Sequence, residues 1–305
     1  MSDHLQHECG IAMLRLLKPL EYYKEKYGTP FYGINKMYLM LEKQHNRGQD
    51  GAGLASVKFD MQPGERYISR IRSNNSQPIQ DIFNQINTRI SDILKENPEI
   101  RNDTEAQKHL LPYIGNIFLG HVRYGTFGKN SIENVHPFLR QNNWIYRNLI
   151  VAGNFNMTNS KELFQKLVEL GQHPKEQTDT VTIMERIGHF LDTEVENLYQ
   201  KLKAEGYSKK DAAAEILKKS AYIWDGGYAM SGIIGHGDAF VIRDPAGIRP
   251  AYYYKDDEIV VVASERPVIQ TAFNLDFEQI TELNPGSAII IKKNGNVSIE
   301  EILPA

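Results

Sequence analysis

Cys9 is the only cysteine in the chain, and Gly10 and Ile11 follow it. Its place next to the start makes a particular chemistry available. If the segment Met1 to Glu8 is removed, a thiol and a free α-amino group sit on one residue. A thiol titrates near about 8.5 and an α-amine near about 7.7 to 8.0, so at neutral pH the amine can take the thiol proton. Such a nucleophile carries its own base and needs no histidine from elsewhere in the fold. A lone cysteine is otherwise an ordinary small buried residue, so the choice between the two falls to the other clusters.

Five of these stand out. In Gln44 to Gly53 (QHNRGQDGAG), Arg47 and Asp50 lie among glycines, which either let backbone approach a ligand or simply make turns. Gly120 to Gly128 (GHVRYGTFG) carries Arg123, Tyr124 and Thr126 at the end of an apolar run. A buried arginine needs a partner, either an internal carboxylate or a substrate carboxylate gripped by its fork. In Val151 to Asn159 (VAGNFNMTN) a strand is expected to run into a bend at Gly153 and Asn154. An asparagine amide beside a backbone N–H is a donor pair suited to an oxyanion, and Gly-Asn is also a plain turn. Asp179, in Thr178-Asp179-Thr180, reads either as a helix N-cap or as a carboxylate for a substrate ammonium. Finally, RDPAGIRP (Arg243 to Pro250), Ala263-Ser264-Glu265 and Pro285-Gly286 mix charge with turn formers; physically they specify only structured loops between strands.

These residues need elements to carry them. The 305 residues have a net charge of −3, which gives no electrostatic reason to expect nucleic acid or an anionic membrane surface as partner. The single cysteine excludes an internal disulfide and an all-cysteine metal site. Met1 to Glu8 lacks the apolar run of a secretory signal, and no stretch approaches the ~20 apolar residues of a membrane span. A soluble, cytoplasmic protein acting on a small molecule is expected. Hydrophobic patterning predicts strands over Cys9 to Leu16, Ile117 to Tyr124 and Trp144 to Val151. Helices are predicted over Met37 to Gln44, Lys161 to Leu170, Thr180 to Phe190 and Lys210 to Ala221, and an amphipathic helix within Ser73 to Lys108 as a surface insertion. Further strands follow at Gly227 to Ile234, Asp238 to Arg243, Ala251 to Tyr254, Ile259 to Ala263 and Ser287 to Lys292. Strands first, helices in the middle and strands last argue for an α+β layered architecture in one domain from Cys9 onward.

Taken together, the strings resemble the class II glutamine amidotransferases, whose glutaminase domain is an N-terminal-nucleophile hydrolase, and the resemblance covers nearly the whole chain. RDPAGIRP with Ala263-Ser264-Glu265 looks most like the glutaminase half of the amidophosphoribosyltransferases. The resemblance implies a four-layer αββα sandwich with a helical surface insertion, a propeptide over residues 1–8 and a glutaminase domain over 9–305. It implies Cys9 as nucleophile, Asn154 with the Phe155 N–H as oxyanion donors, Arg123 on the glutamine α-carboxylate and Asp179 on its α-ammonium. Tyr124, Thr126 and Arg47 fall in strings that line the same pocket.

No cofactor or metal is implied for this domain. Its partners would be glutamine and a phosphoribosyltransferase domain or chain that uses the ammonia in de novo purine synthesis; a homo-oligomer is compatible with this. No phosphoribosyl-binding string is recognisable up to Ala305, so the amino-terminal half of a longer protein is expected. Rival readings are a free-standing class II amidohydrolase, an asparagine-synthetase-like glutaminase, and a non-catalytic glutamine-binding domain.

Two departures from the family pattern matter. Where the family reads His-Asn-Gly-Asn, this chain has Gly153-Asn154-Phe155-Asn156, so the glycine supplying the second oxyanion donor is a phenylalanine. The family's Gln-His-Arg-Gly is here Gln44-His45-Asn46-Arg47-Gly48.

Overall fold

The computed structural model describes residues 8–125, 131–174, 177–204 and 212–305. They pack as two compact units: 8–137 with 251–282, and 138–250 with 283–305.

The first unit is built on an antiparallel sheet of β1 (Gly10–Leu16), β2 (Gly51–Val57), β3 (Ile68–Ser73), β4 (Ile117–Arg123), β9 (Tyr252–Lys255), β10 (Ile259–Ala263) and β11 (Thr281–Glu282), in the order β11-β9-β10-β1-β4-β2-β3. The strand that starts at the candidate nucleophile is therefore central, between β10 and β4. Its near-continuous apolar sequence GIAMLRL follows from being buried on both faces. Ala12, Leu14 and Leu16 of β1 share one face with Leu54 of β2 and Phe118 and Val122 of β4, and that face packs on helices. The helices are α2 (Tyr32–Lys43), α3 (Pro78–Glu96) and α8 (Arg266–Phe273). Two shorter ones, α1 (Leu20–Tyr27) and α4 (Thr104–Leu110), join the same unit.

The amphipathic helix expected in Ser73 to Lys108 is α3. Its apolar stripe, Ile79, Ile82, Phe83, Ile86 and Ile90, belongs to the core over β2 and β3. A helix read as a surface insertion is thus part of the layer that covers the sheet, because its i, i+3, i+4 spacing presents one continuous apolar face.

The second unit holds an antiparallel sheet in the order β13-β12-β8-β7-β6-β5. Its strands are β5 (Phe138–Arg140), β6 (Leu149–Met157), β7 (Gly226–Ile234), β8 (Ala239–Arg243), β12 (Ser287–Ile291) and β13 (Val297–Glu301). Helices α5 (Ser160–Glu169), α6 (Asp179–Ala204) and α7 (Ala212–Ala221) pack on it through Leu163, Leu167, Ile183, Ile187, Leu191 and Leu217. The RDPAGIRP loop is tied by side-chain to backbone hydrogen bonds. The Asp244 carboxylate accepts from the N–H groups of Tyr228, Ile248 and Arg249. The buried Arg243 guanidinium donates to the carbonyls of Arg249, Leu283 and Gly247. Buried charge in this loop is thus consumed in holding its shape.

Sequence patterning located most of these elements but misjudged several edges. The run Trp144 to Val151, read as a strand, begins with a 3-10 turn over Ile145–Arg147, and the strand lies later, at Leu149–Met157. Gln44 to Gly53, read as a Gly-rich loop, contains the 3-10 turn His45–Arg47 and the start of β2. No described helix is long and apolar enough to cross a membrane.

Replacing the fully buried Ile82 by alanine removes packing from the α3 stripe and is expected to lower unfolding free energy by about 2 to 5 kcal/mol. Thr88→Ala, on the exposed face of the same helix, should stay within about 0.5 kcal/mol. Urea unfolding followed by circular dichroism measures both.

Candidate active site

In the first unit, Cys9 stands one residue before β1, and its immediate surroundings are backbone grips. The side-chain hydroxyl of Ser264 accepts from Ile11 N at 2.9 Å, and Ser264 N donates to Ile11 O at 3.1 Å. These two bonds extend the β1–β10 ladder by one pair beyond Ala12 and Ala263. Gln44, fully buried, donates its amide to the same Ile11 carbonyl at 3.3 Å. A Cβ on residue 10 would stand 2.8 Å from the Gln44 side-chain oxygen and 2.9 Å from a Val122 methyl, so Gly10 is what lets these groups close around the strand start. The Cys9 carbonyl is held in turn by Arg47 Nε at 3.2 Å.

The Cys9 thiol donates to the Tyr124 carbonyl at 3.8 Å. Burial pushes its pKa up, while the Tyr124 backbone and the Arg123 and Arg47 guanidinia work against that rise without overcoming it. The thiol is therefore protonated near neutral pH, and it needs a base before it can attack anything. Arg123 ends β4 and is 6% exposed. Its carbonyl accepts from Asp50 N at 3.0 Å, and the Asp50 carboxylate accepts from Gly125 N at 2.7 Å. Gly48 packs so tightly on the Arg123 backbone that a Cβ there would overlap it. Asp50 and Gly48, both in the QHNRGQDGAG string, thus fix the chain on which Arg123 and Tyr124 stand.

In the second unit the expected bend at Gly153 and Asn154 is absent: β6 runs straight from Leu149 to Met157. Its pairing assigns each peptide group to one edge. Tyr228 of β7 receives Asp244 N on its carbonyl and gives its own N–H to the Asp244 carboxylate, so its backbone faces β8. Phe155, which lies opposite Tyr228, therefore turns its N–H away from β7. The bonds Gly235 N to Asn148 O and Thr158 N to Asp225 O fix the same alternation at both ends. Phe155 N–H and Met157 N–H point to the β5 edge, past the last β5 pairing, Phe138 with Val151.

On that edge sits Asp179. Its carboxylate accepts from Met157 N at 3.2 Å. Asp179 is not the helix cap, because Thr178 fills that role: its hydroxyl accepts from Val181 N and its carbonyl from Thr182 N. The carboxylate is left to reach β6. Two residues of strand, about 7 Å, separate the N–H of Met157 from that of Phe155.

Phe155 occupies ordinary strand geometry; the described non-glycine residues with positive φ are Asp60, Tyr113 and Asn274. Its ring lies over Gly153, where any Cβ would collide with it, and packs on the helix-side core. Asn154, 4% exposed, alternates to the opposite face of the sheet.

The described residues thus bring Cys9, Arg47, Arg123 and Tyr124 together in one unit, and Asn154, Phe155 and Asp179 in the other. Thr126 lies outside the described residues. Arg47, expected among the pocket-lining residues, has its guanidinium on the Cys9 carbonyl, Glu8 and Glu265. Three contributors carried no role in the sequence reading: Gln44, Ser264 and Glu265. Ser264 and Glu265 had a signal, since a polar pair at the end of a predicted apolar strand has to hydrogen-bond something.

The chain has relatives among known proteins. The chain is 28% identical over 271 residues to the amidophosphoribosyltransferase of Pasteurella multocida, covering 87% of this chain and 45% of that protein. It is 28% identical over 267 residues to the amidophosphoribosyltransferase of Escherichia coli, covering 86% and 44%. The archaeal enzyme of Methanocaldococcus jannaschii matches at 28% over 264 residues, covering 86% and 45%. The chain spans about half the length of these curated relatives. Among solved structures, the glutamine phosphoribosylpyrophosphate amidotransferase of B. subtilis, complexed with ADP and GMP, superposes with a TM-score of 0.59 at 22% identity, over 97% of this chain and 49% of that one. The α+β fold expected from the sequence is the fold of that protein's matching half. No protein-family model matches the chain.

Two outcomes follow from the geometry. Alkylation of Cys9 by iodoacetamide in the leader-bearing chain should reach half its limiting rate above the ordinary thiol value of about 8.5, because burial raises the pKa. Arg123→Gln, which removes a cation that lowers it, should move the midpoint higher still. Separately, Gly153→Ala should destabilise the protein by about 1 to 3 kcal/mol through its clash with the Phe155 ring. Adding Phe155→Ala should relieve part of that loss, giving a coupling in a double-mutant cycle of urea unfolding.

Proposed function

We propose that this chain, a relative of the amidophosphoribosyltransferases that shares the fold of their solved B. subtilis member, hydrolyses the side-chain amide of glutamine through a cysteinyl thioester. The ammonia released would feed a phosphoribosyl transfer in de novo purine synthesis, carried out in the cytoplasm by a phosphoribosyltransferase domain or partner chain. The observation that carries the reading is the state of the Cys9 thiol. It is partly buried, burial raises its pKa, and among the described residues the groups acting on it are two backbone groups and two guanidinia, none of them a base. An α-amine on the same residue, freed when Met1 to Glu8 leaves, supplies what is missing.

In this mechanism the amine accepts the thiol proton and the thiolate attacks the amide carbon of glutamine. The Asn154 side-chain amide and the Phe155 N–H donate to the oxyanion of the tetrahedral intermediate. The carbon–nitrogen bond then breaks as the ammonium returns its proton to the departing nitrogen, giving ammonia and a γ-glutamyl thioester on Cys9. Water, deprotonated by the amine, attacks the thioester; the intermediate collapses, the sulfur recovers its proton, and glutamate leaves.

Arg123 would grip the α-carboxylate in its fork and Asp179 the α-ammonium, with Tyr124 and Thr126 beside them. Phe155 N–H and the Asp179 carboxylate share one edge of β6. Their spacing suits a ligand with an amide oxygen at one end and an ammonium at the other. A ligand without the free amino-acid head would leave a charged group unpaired, which is how the site would reject it.

The test is glutamate release from glutamine, with intact mass reporting removal of Met1 to Glu8. Cys9→Ala should abolish release. Asn154→Ala should lower kcat by about a hundred- to a thousandfold, and Asp179→Asn should act mainly by raising KM. A folded, leader-free protein that releases no glutamate would make this a glutamine-binding domain without catalysis.

A further inference from the structure

Arg47 makes three directional contacts, one from each nitrogen of its guanidinium. Nε donates to the Cys9 carbonyl at 3.2 Å, Nη1 meets the Glu265 carboxylate at 3.0 Å and Nη2 meets the Glu8 carboxylate at 3.0 Å. The group is largely withdrawn from solvent, with 12% of the Arg47 side chain exposed against 26% for each carboxylate. At that burial the pairs are screened far less than surface pairs. The two carboxylates have different fates. Glu8 is the residue that departs if the chain is cut before Cys9, whereas Glu265 stays. Glu265 also stands on fixed ground: its neighbour Ser264 is bonded twice to Ile11, and its own carbonyl accepts from Val268 N at the start of α8.

We propose that Glu265 is a positioning residue for the nucleophile: through Arg47 it holds the Cys9 carbonyl in place, and once Glu8 has gone it alone neutralises the guanidinium beside the new α-amine. The proposal rests on the reading of Cys9 as an amine-assisted nucleophile and adds to it a device that none of the motif residues declares. It has two consequences. The first is geometric, since a guanidinium without its anchor no longer fixes the residue that must approach the amide carbon, and displacement of about 1 Å costs rate steeply. The second is electrostatic. The α-amine has to pass through its ammonium form during turnover, and an unneutralised cation next to it disfavours that form and lowers its pKa.

Because the amine works as a base only when unprotonated, lowering its pKa moves the acidic limb of the pH–rate profile to lower pH. Glu265→Gln, in the full chain after its leader has come off, should therefore reduce kcat by about ten- to a hundredfold. It should leave KM for glutamine within about twofold, and shift the acidic limb of kcat/KM downward. Glu265→Asp keeps the charge and should hold the limb at its wild-type position while recovering part of kcat. The double variant Arg47→Gln with Glu265→Gln has no bare cation, so its limb should return toward wild type although kcat stays low. Folding of each variant is checked by its thermal midpoint. The pH dependence of Cys9 alkylation by iodoacetamide in the same leader-free proteins should show the same ordering.

Wild-type release of glutamate together with an unmoved limb in Glu265→Gln, or a loss confined to KM, would overturn the proposal and leave the glutaminase reading standing. Absence of release by the wild type would instead overturn the glutaminase reading. The alkylation profile then decides the role of Glu265 without it: a profile in Glu265→Gln that coincides with wild type counts against the proposal, and a displaced one supports it.

Discussion

A residue that stands just before a strand, as Cys9 does before β1, has no preceding ladder to hold it, so its backbone must be gripped from the side. Here the grip is the Arg47 fork on the Cys9 carbonyl, backed by the Ser264 and Gln44 hydrogen bonds to Ile11. The rest of the first unit makes those three bonds possible. β10 is paired to β1 so that Ser264 arrives opposite Ile11. α2 ends at Lys43, which drops Gln44 and then Arg47 beside the strand start. Gly10 and Gly48 allow the two close approaches, one around β1 and one against the Arg123 backbone. Each of these requirements is local and steric, and together they explain how two separated strings of sequence hold the start of a third.

The second unit solves a different problem with the pleat of a single strand. Alternation along β6 sends the peptide groups of even residues, Asn148 to Thr158, toward β7, and those of Phe155 and Met157 to the opposite edge. The β5 pairing covers only Leu149 to Val151, and at Met157 the edge N–H is taken by the Asp179 carboxylate. The same alternation puts Asn154 on the face away from the helices. Turning a backbone N–H to this edge therefore needs no bend in the strand.

The legible part of this architecture was what hydrophobic period reports. Gly10–Leu16, Ile259–Ala263 and Ser287–Ile291 stand as continuous apolar runs, and the α3 stripe as a 3.6-residue period. What escaped were features set by partners distant in sequence. Arg47 is placed among pocket residues by the resemblance, and its neighbours do not show its contact with Cys9, because the carboxylate beside it, Glu265, lies 218 positions away. Asp179 reads equally as a cap or as a ligand carboxylate for the same reason: only the bonds of Thr178 to the helix start and of Asp179 to Met157 N show that Thr178 is the cap. Glycine in isolation does not distinguish a turn from a close approach; in β2 and β6 the glycines mark close approach inside strands.

The substitution that most departs from the family pattern is best understood on those terms. A phenylalanine where a glycine is usual would be intolerable if the position required positive φ, but in β6 it does not. The remaining difficulty is volume, and it is met by the residue two places earlier. Residues 153 and 155 project from the same face, so a bulky side chain can sit at one of them only if the other is small. The family pattern carries its bulk at the first position and glycine at the second. This chain reverses them, and the Phe155 ring fills the space above Gly153. Reading the two changes as one exchange accounts for both, and it leaves the backbone donor of residue 155 directed at the edge it shares with Asp179.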